Sequence, residues 1–249
     1  MKAIAIFGVF ICVINTASAK VLSQETSLSI GWIEEISSDS KASGQYSKNI
    51  VTGHHRTVAD WGMLSVKGQW ENLGAYSHTV SGEEGDVWFK AMGTVYYNLS
   101  DSGWMGWYDL FVNQNQLVSE LHNMAGVAYR SKIANVKVTT GIALDYFSGH
   151  TPLGKAEGVI TPAFRLTANT SLTEKVQGFV VINAHLDRDT KALANSFTGW
   201  EKTGNQLLIG VQYQWTPKWR LNVTYRRFNN WGGYANDGQS VITTMGYTF

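Results

Sequence analysis

The stretch Ser240-Val241-Ile242-Thr243-Thr244-Met245-Gly246-Tyr247-Thr248-Phe249 decides the fold. Val241, Thr243, Met245, Tyr247 and Phe249 fall on one face, while Ser240, Thr244, Gly246 and Thr248 dominate the other, the period of two that marks a strand. Moving back along the chain, Leu207, Ile209, Val211, Tyr213 and Trp215 alternate with Leu208, Gly210, Gln212 and Gln214. Thr216-Pro217-Lys218 then turns the chain. The return strand sets Trp219, Leu221, Val223 and Tyr225 against Arg220, Asn222, Thr224 and Arg226. Two arginines on the inner side of such a strand suit a watery lumen and not a soluble core, where unpaired charge is costly.

Extended over the chain, this reading predicts about twelve strands, near 27–36, 57–68, 70–79, 87–98, 104–115, 122–130, 135–147, 158–168, 176–187, 205–215, 219–228 and 240–249. The connections 99–103, 131–134, 169–175 and 216–218 are short, whereas 37–56, 148–157, 188–204 and 229–239 are longer and richer in Gly, Asn, Asp and Ser. Short turns on one side and long loops on the other describe an all-β transmembrane antiparallel β-barrel. An even strand number brings both ends to one side. A soluble β-sandwich would also alternate, but its outward face should be polar, whereas here one face is lined with Leu, Val, Trp and Tyr and the other holds Lys90, Asp109, Lys137, Asp145 and Arg165.

Residues 1–19 read as a secretory signal: Lys2, an apolar run from Ile4 to Ile14, and the small residues Ala17-Ser18-Ala19 at the expected cleavage point. The run is too short for a spanning helix, which needs about twenty residues. Residues 20–249 are then a single barrel domain. Cys12 is the one cysteine and falls inside the signal, so no disulfide, thiolate metal site or lipid-bearing cysteine is expected beyond it. Without Lys2 the chain balances 19 Lys+Arg against 19 Asp+Glu, which argues against a basic nucleic-acid-binding surface. The 25 glycines and ten tryptophans suit a curved sheet with aromatic girdles at the two membrane interfaces.

Parity places several polar and aromatic residues on the inner face: Trp88 and Lys90; Trp107, Asp109, Phe111 and Asn113; Lys137, Asp145 and Phe147; Thr161 and Arg165; Phe179, Asn183 and His185; Arg220, Asn222 and Arg226. Rings mixed with amides and charges can stack a small ring-bearing solute and hydrogen-bond its edge. The candidates are Trp107, Phe111, Phe147 and Phe179 for stacking, and Asp109, Asn113, Arg165 and Asn183 for hydrogen bonds. The competing role for each is packing within a narrow barrel. Because Lys90, Arg165, Arg220 and Arg226 are offset by inner-face acids, neutral solutes are expected to fit better than phosphorylated ones.

Lys67-Gly68-Gln69-Trp70-Glu71-Asn72-Leu73-Gly74-Ala75-Tyr76 resembles the Lys-x-x-Trp-x-x-x-x-x-Tyr segment of the Tsx-type nucleoside-specific outer-membrane channels, as does Trp107-Tyr108. The passage from Tyr225 to Asp237, with Trp231-Gly232-Gly233 and Asn236-Asp237, is similar to their Gly-Gly-x-Trp-Asn loop, with the tryptophan here before the glycines. Gly246-Tyr247-Thr248-Phe249 is similar to their Gly-Tyr-Asn-Phe ending, a signal found widely among outer-membrane barrels. The resemblance implies a monomeric twelve-stranded barrel in the outer membrane of a Gram-negative cell, surrounded by lipid, through which nucleosides diffuse passively and without a cofactor.

Two other classes bear on the same residues. An enzyme would need a Ser-His-Asn or Asp-His set converging at the rim or face, and no recognisable signature accompanies His54, His55, His122, His150 or His185. His54-His55 makes a poor metal pair, because neighbouring strand residues face opposite ways. A closed barrel acting as a surface receptor would place its function in the loops 37–56, 188–204 and 229–239, where Trp231-Gly232-Gly233-Tyr234 would serve as a contact surface or fold inward as a constriction.

Overall fold

A computed structural model describes residues 19–38, 46–73, 87–194, 196–197, 199–231 and 237–249. Twelve strands alternate in direction: β1 (Val21–Glu35), β2 (Lys48–Ala59), β3 (Gly62–Glu71), β4 (Trp88–Asn98), β5 (Trp104–Gln114), β6 (Ser119–Ile133), β7 (Val136–Thr151), β8 (Gly154–Ser171), β9 (Val176–His185), β10 (Gly204–Gln214), β11 (Trp219–Asn229) and β12 (Asp237–Thr248). Each pairs antiparallel with its sequence neighbours, and β1 closes on β12 from Ser27 opposite Thr248 to Glu35 opposite Ser240. Closure removes the sheet edges and satisfies the backbone internally, which is what lets strands cross a membrane.

Leu28, Ile30, Ile142, Leu144, Ile160 and Ile209 are all exposed on the outer surface, the arrangement a bilayer solvates. Aromatic pairs sit near both rims: Trp104 with Tyr129 (5.1 Å) and Trp219 with Tyr247 (5.1 Å) beside the short turns, and Trp70 with Phe89 (5.2 Å) beside the longer connections. Inside, the burial alternates out of phase, so that Met105, Trp107, Asp109 and Asn113 are buried while Trp104 is exposed.

The second and third strands correct the sequence reading by eight or nine residues. They are Lys48–Ala59 and Gly62–Glu71, where 57–68 and 70–79 are predicted. The unbroken reading takes Asp60-Trp61-Gly62 as strand interior, but the chain reverses there. Gly62 has φ +145°, and a Cβ on it would lie 1.9 Å from the Tyr96 carbonyl oxygen. Trp61 stacks on the exposed Tyr97 at 6.4 Å. Most of the residues taken as the end of loop 37–56 are therefore strand.

The segment 148–157 is also not a long loop. β7 and β8 continue through it as 16- and 18-residue strands joined by a tight turn at 152–153, with His150 opposite Lys155. About nine to eleven tilted residues cross a bilayer, so this hairpin stands above the rim. The loop 188–204 is 186–203 and carries one helical turn, α1 (Thr190–Leu193), whose N-cap Asp189 accepts from the N–H groups of Lys191 and Ala192. The expected signal (residues 1–18), Tyr76, and Gly232, Gly233, Tyr234 and Asn236 of the loop 229–239 lie outside the described residues.

Candidate functional site

The inner faces of the strands enclose a cavity of about 1100 Å³. Its lining runs from Glu71, Trp200 and Trp231 at the end with the longer connections to Arg130, Lys137 and Ser171 at the end with the short turns.

Four of the eight sequence candidates reach this surface: Phe111, Asn113, Arg165 and Asn183. Asn113 Nδ2 donates to Glu120 Oε1 (3.3 Å), and Arg165 Nε donates to Asn183 Oδ1 (2.7 Å). The other four point inward but pack into the wall. Trp107 lies in an apolar cluster with Tyr96, Met105, Met124, Ala128, Ala143 and Ala163, and the Arg165 guanidinium covers its ring at 4.9 Å. Asp109 is fully buried in ion-pair contact with Arg165. Phe179 lies against Gly210, where a Cβ would come within 2.4 Å of its ring. Phe147 belongs to a cluster at the far rim with Ala156, Val159, Leu193, Phe197 and Trp200.

That rim cluster shows what the loops do. Phe197 and Trp200 fold inward from the segment 186–203 and meet the Phe147 ring at 5.2 and 5.6 Å. Thr151 Oγ1 donates to the Ser196 carbonyl (2.8 Å), which ties the β7–β8 hairpin to the same segment. Arg188 lies over Trp200 at 4.7 Å and donates to the Asn230 carbonyl (2.8 Å) and to His185 Nδ1 (2.9 Å). Burial lowers Arg188 to about 10, with Asp145 and Glu120 opposing, so it stays charged at neutral pH. Trp231 stacks on His185 at 4.6 Å. One mouth of the cavity is thereby narrowed by aromatic side chains from two loops.

Beneath that mouth lies a buried polar chain. His122 Nδ1 is 2.6 Å from Asp145 Oδ2, His122 Nε2 is 3.8 Å from Glu120, and His185 Nε2 is 3.1 Å from Asp145 Oδ2. His122, Asp145 and His185 are the donor types of a metal centre, with donor atoms within 4.8 Å of one another. However, a guanidinium can only donate, so Arg188 puts the lone pair of neutral His185 on Nδ1 and its proton on Nε2, the atom an ion would need. The set fits a chain of polar contacts between wall and loop better than it fits an ion. Among the described residues no Ser or Thr hydroxyl is hydrogen-bonded to either imidazole.

The charges divide in a way the parity reading only partly anticipates. Lys90 meets Glu71 (2.6 Å), Arg226 meets Glu35 (2.9 Å), Arg220 meets Glu25 (2.5 Å), and Arg165 meets Asp109, so those four cations are offset by acids. Arg56, Lys67, Arg130 and Lys137 also line the cavity. None of these four has a carboxylate within 4.0 Å among the described residues. Arg56 and Lys67 are missed because the predicted second and third strands are out of place. Treating Asp60-Trp61-Gly62 as a turn would have put Met63, Ser65, Lys67, Gln69 and Glu71 on one inner face. Trp200, Arg188 and Trp231 come from loops, where no periodicity marks an inward side chain.

No family model matches the chain, and no curated protein matches it in sequence. Solved structures do. An outer-membrane channel from Pseudomonas putida F1 superposes with a TM-score of 0.56 over 91% of this chain and 95% of that one, at 10% identity. The fold is that of outer-membrane channel barrels. The NanC porin matches this barrel with a TM-score of 0.55, covering 89% of this chain and 98% of its own. The KdgM porin matches at 0.50, covering 89% and 99%, and both are 10% identical to this chain. At that identity the likeness is one of architecture.

Proposed function

We propose that this barrel is a passive, substrate-selective channel for small solutes in the outer membrane of a Gram-negative cell, acting as a monomer. The observation that carries the reading is the cavity of about 1100 Å³ whose lining extends from one end of the barrel to the other. An apolar outer surface with aromatic rims supports the membrane setting, and the solved channels of like architecture support the class. No cofactor enters the mechanism. A solute enters at one rim and exchanges weak contacts with successive side chains, so that no single site holds it long enough to stop flux.

Nucleosides are the solute class that the Tsx-like segments suggest. Support comes from rings on the cavity surface, Phe111 in mid-wall and Trp200 and Trp231 at the mouth, alternating with the amides of Asn113, Asn183 and Gln206. A base can lie on the rings while ribose hydroxyls exchange bonds with the amides. Swelling of liposomes carrying the refolded protein tests this with nucleosides, sugars and amino acids of similar size. Faster uptake of nucleosides, reduced in Phe111→Ala, supports the assignment. Equal uptake of all solutes leaves a general pore. No uptake through a folded barrel moves the function to the rim loops, as a surface receptor.

A further inference from the structure

We propose that the preferred solute is a small organic anion, and that Arg56, Lys67, Arg130 and Lys137 select it. The inference rests on the channel reading above and names its solute class. Its basis is where the two signs of charge sit relative to the cavity. The carboxylates of Glu35, Asp109, Glu120 and Asp145 are no more than 1% exposed and do not reach the cavity lining. Among the described residues Glu71 is the one acid on the lining, and Lys48 (3.0 Å) and Lys90 (2.6 Å) both hold it. Glu35, Glu71 and Asp109 therefore neutralise particular wall cations, Glu120 and Asp145 turn to His122 and His185, and Glu25, 42% exposed opposite Arg56, is held by Arg220. None of the four selecting residues has a carboxylate within 4.0 Å among the described residues, and Arg56, Arg130 and Lys137 are exposed in the lumen.

Their placement makes a series. Arg130 and Lys137 flank the turn at 134–135, Arg56 lies three residues from the same end of β2, and Lys67 is halfway along β3. Between them the lining carries Thr139, Thr167, Asn169 and Gln177. Guanidinium and ammonium groups beside hydroxyls and amides are the donors that a carboxylate or phosphate on a hydroxylated small molecule accepts from. Cations spaced along the path, and not gathered into one cage, attract an anion without trapping it. The expectation that neutral solutes fit best counts only the four wall-paired cations, and these unpaired ones reverse it. For a nucleoside framework the preferred form would carry a phosphate.

The test is the permeability ratio of chloride to potassium, taken from the reversal potential of the full barrel in a planar bilayer across a KCl gradient. A unit charge about 6 Å from a passing ion in a watery lumen raises the anion and lowers the cation by roughly threefold each, so the ratio changes by roughly tenfold before screening and roughly fivefold near 0.05 M salt. The ratio is expected well above one near 0.05 M salt. It should fall about fivefold in each of Lys67→Gln, Arg130→Gln and Lys137→Gln, and stay unchanged in Lys155→Gln at the outer hairpin tip. In the unsubstituted protein it should drift toward one in 1 M KCl, where the screening length is about 3 Å. Gluconate and glycerol phosphate, added separately, should each reduce the chloride current, and the stronger blocker names the oxyanion. A conducting barrel with a ratio at or below one overturns the anion assignment and leaves the channel standing. No conductance from a barrel shown to be folded by its gel mobility overturns both.

Discussion

Replacing Arg165 by methionine removes the positive partner of Asp109, which is 0% exposed behind it in the lumen wall. Two routes to the magnitude agree. Breaking a buried pair by deleting one partner costs about 3–5 kcal/mol, because the other charge is left in a medium that solvates it poorly. The stranded carboxylate can escape by taking up a proton, and for an ordinary aspartic acid that costs about 4 kcal/mol at pH 7 but only about 1.5 kcal/mol at pH 5. Protonation caps the penalty, so Arg165→Met should lose about 4 kcal/mol at pH 7 and less than half of that at pH 5. Arg165→Met with Asp109→Leu should recover most of the loss at both pH values, since an apolar pair replaces an ionic one between Trp107 and Met124. Urea unfolding in lipid vesicles, followed by tryptophan fluorescence, reads these differences. A single variant within 1 kcal/mol of the parent at pH 7, or a double variant no better than the single, would refute the claim that this pair neutralises buried charge.

Three further outcomes follow from the same geometry. Ile142 is 64% exposed on the lipid-facing side of β7, so Ile142→Arg should destabilise the inserted barrel by about 2–4 kcal/mol, whereas Thr139→Arg, facing the cavity, should cost under about 0.5 kcal/mol; equal costs in vesicle unfolding would mean that the faces are misassigned. Phe197→Ala with Trp200→Ala removes two of the rings that narrow one mouth and should raise single-channel conductance, and an unchanged conductance would place the constriction elsewhere. Gly62→Ala should destabilise by about 1–3 kcal/mol or more, because its φ of +145° and the nearby Tyr96 carbonyl leave no room for a methyl group, so a neutral effect on the unfolding midpoint would show that the β2–β3 turn is built differently.

The polar chain under the mouth has a structural role that fits its position. Glu120, His122, Asp145, His185 and Arg188 connect β6, β7 and β9 to the segment 186–203, and Asn230 joins from the connection before β12. The buried Arg188 guanidinium is held by His185 Nδ1, the Asn230 carbonyl and the Trp200 ring, which lets loops carrying Trp200 and Trp231 be held inside a barrel mouth with its donors satisfied.

What the sequence by itself determined is the class of fold and the inner face of most strands. In the last three strands a period of two separates Leu, Val, Trp and Tyr from Arg, Asn and Thr, and a one-residue slip would turn every side chain the wrong way, so alternation and facing are one fact. The inward parity of Trp107, Asp109, Phe111 and Asn113 follows from the same rule. Tertiary structure decided the rest. Whether an inward residue meets the cavity or the wall depends on what lies across it, as Arg165 does over Trp107 and Gly210 does beneath Phe179. The register of β2 and β3 turned on a three-residue reversal hidden by apolar neighbours, and with it went Arg56 and Lys67. The loops that narrow the mouth carry no period at all, because their backbone is held by Arg188, Asp189 and Thr151 and not by a ladder. Alternation records which side of a sheet a residue faces, while the depth of the lumen and the balance of its charges arise only when twelve strands close around it.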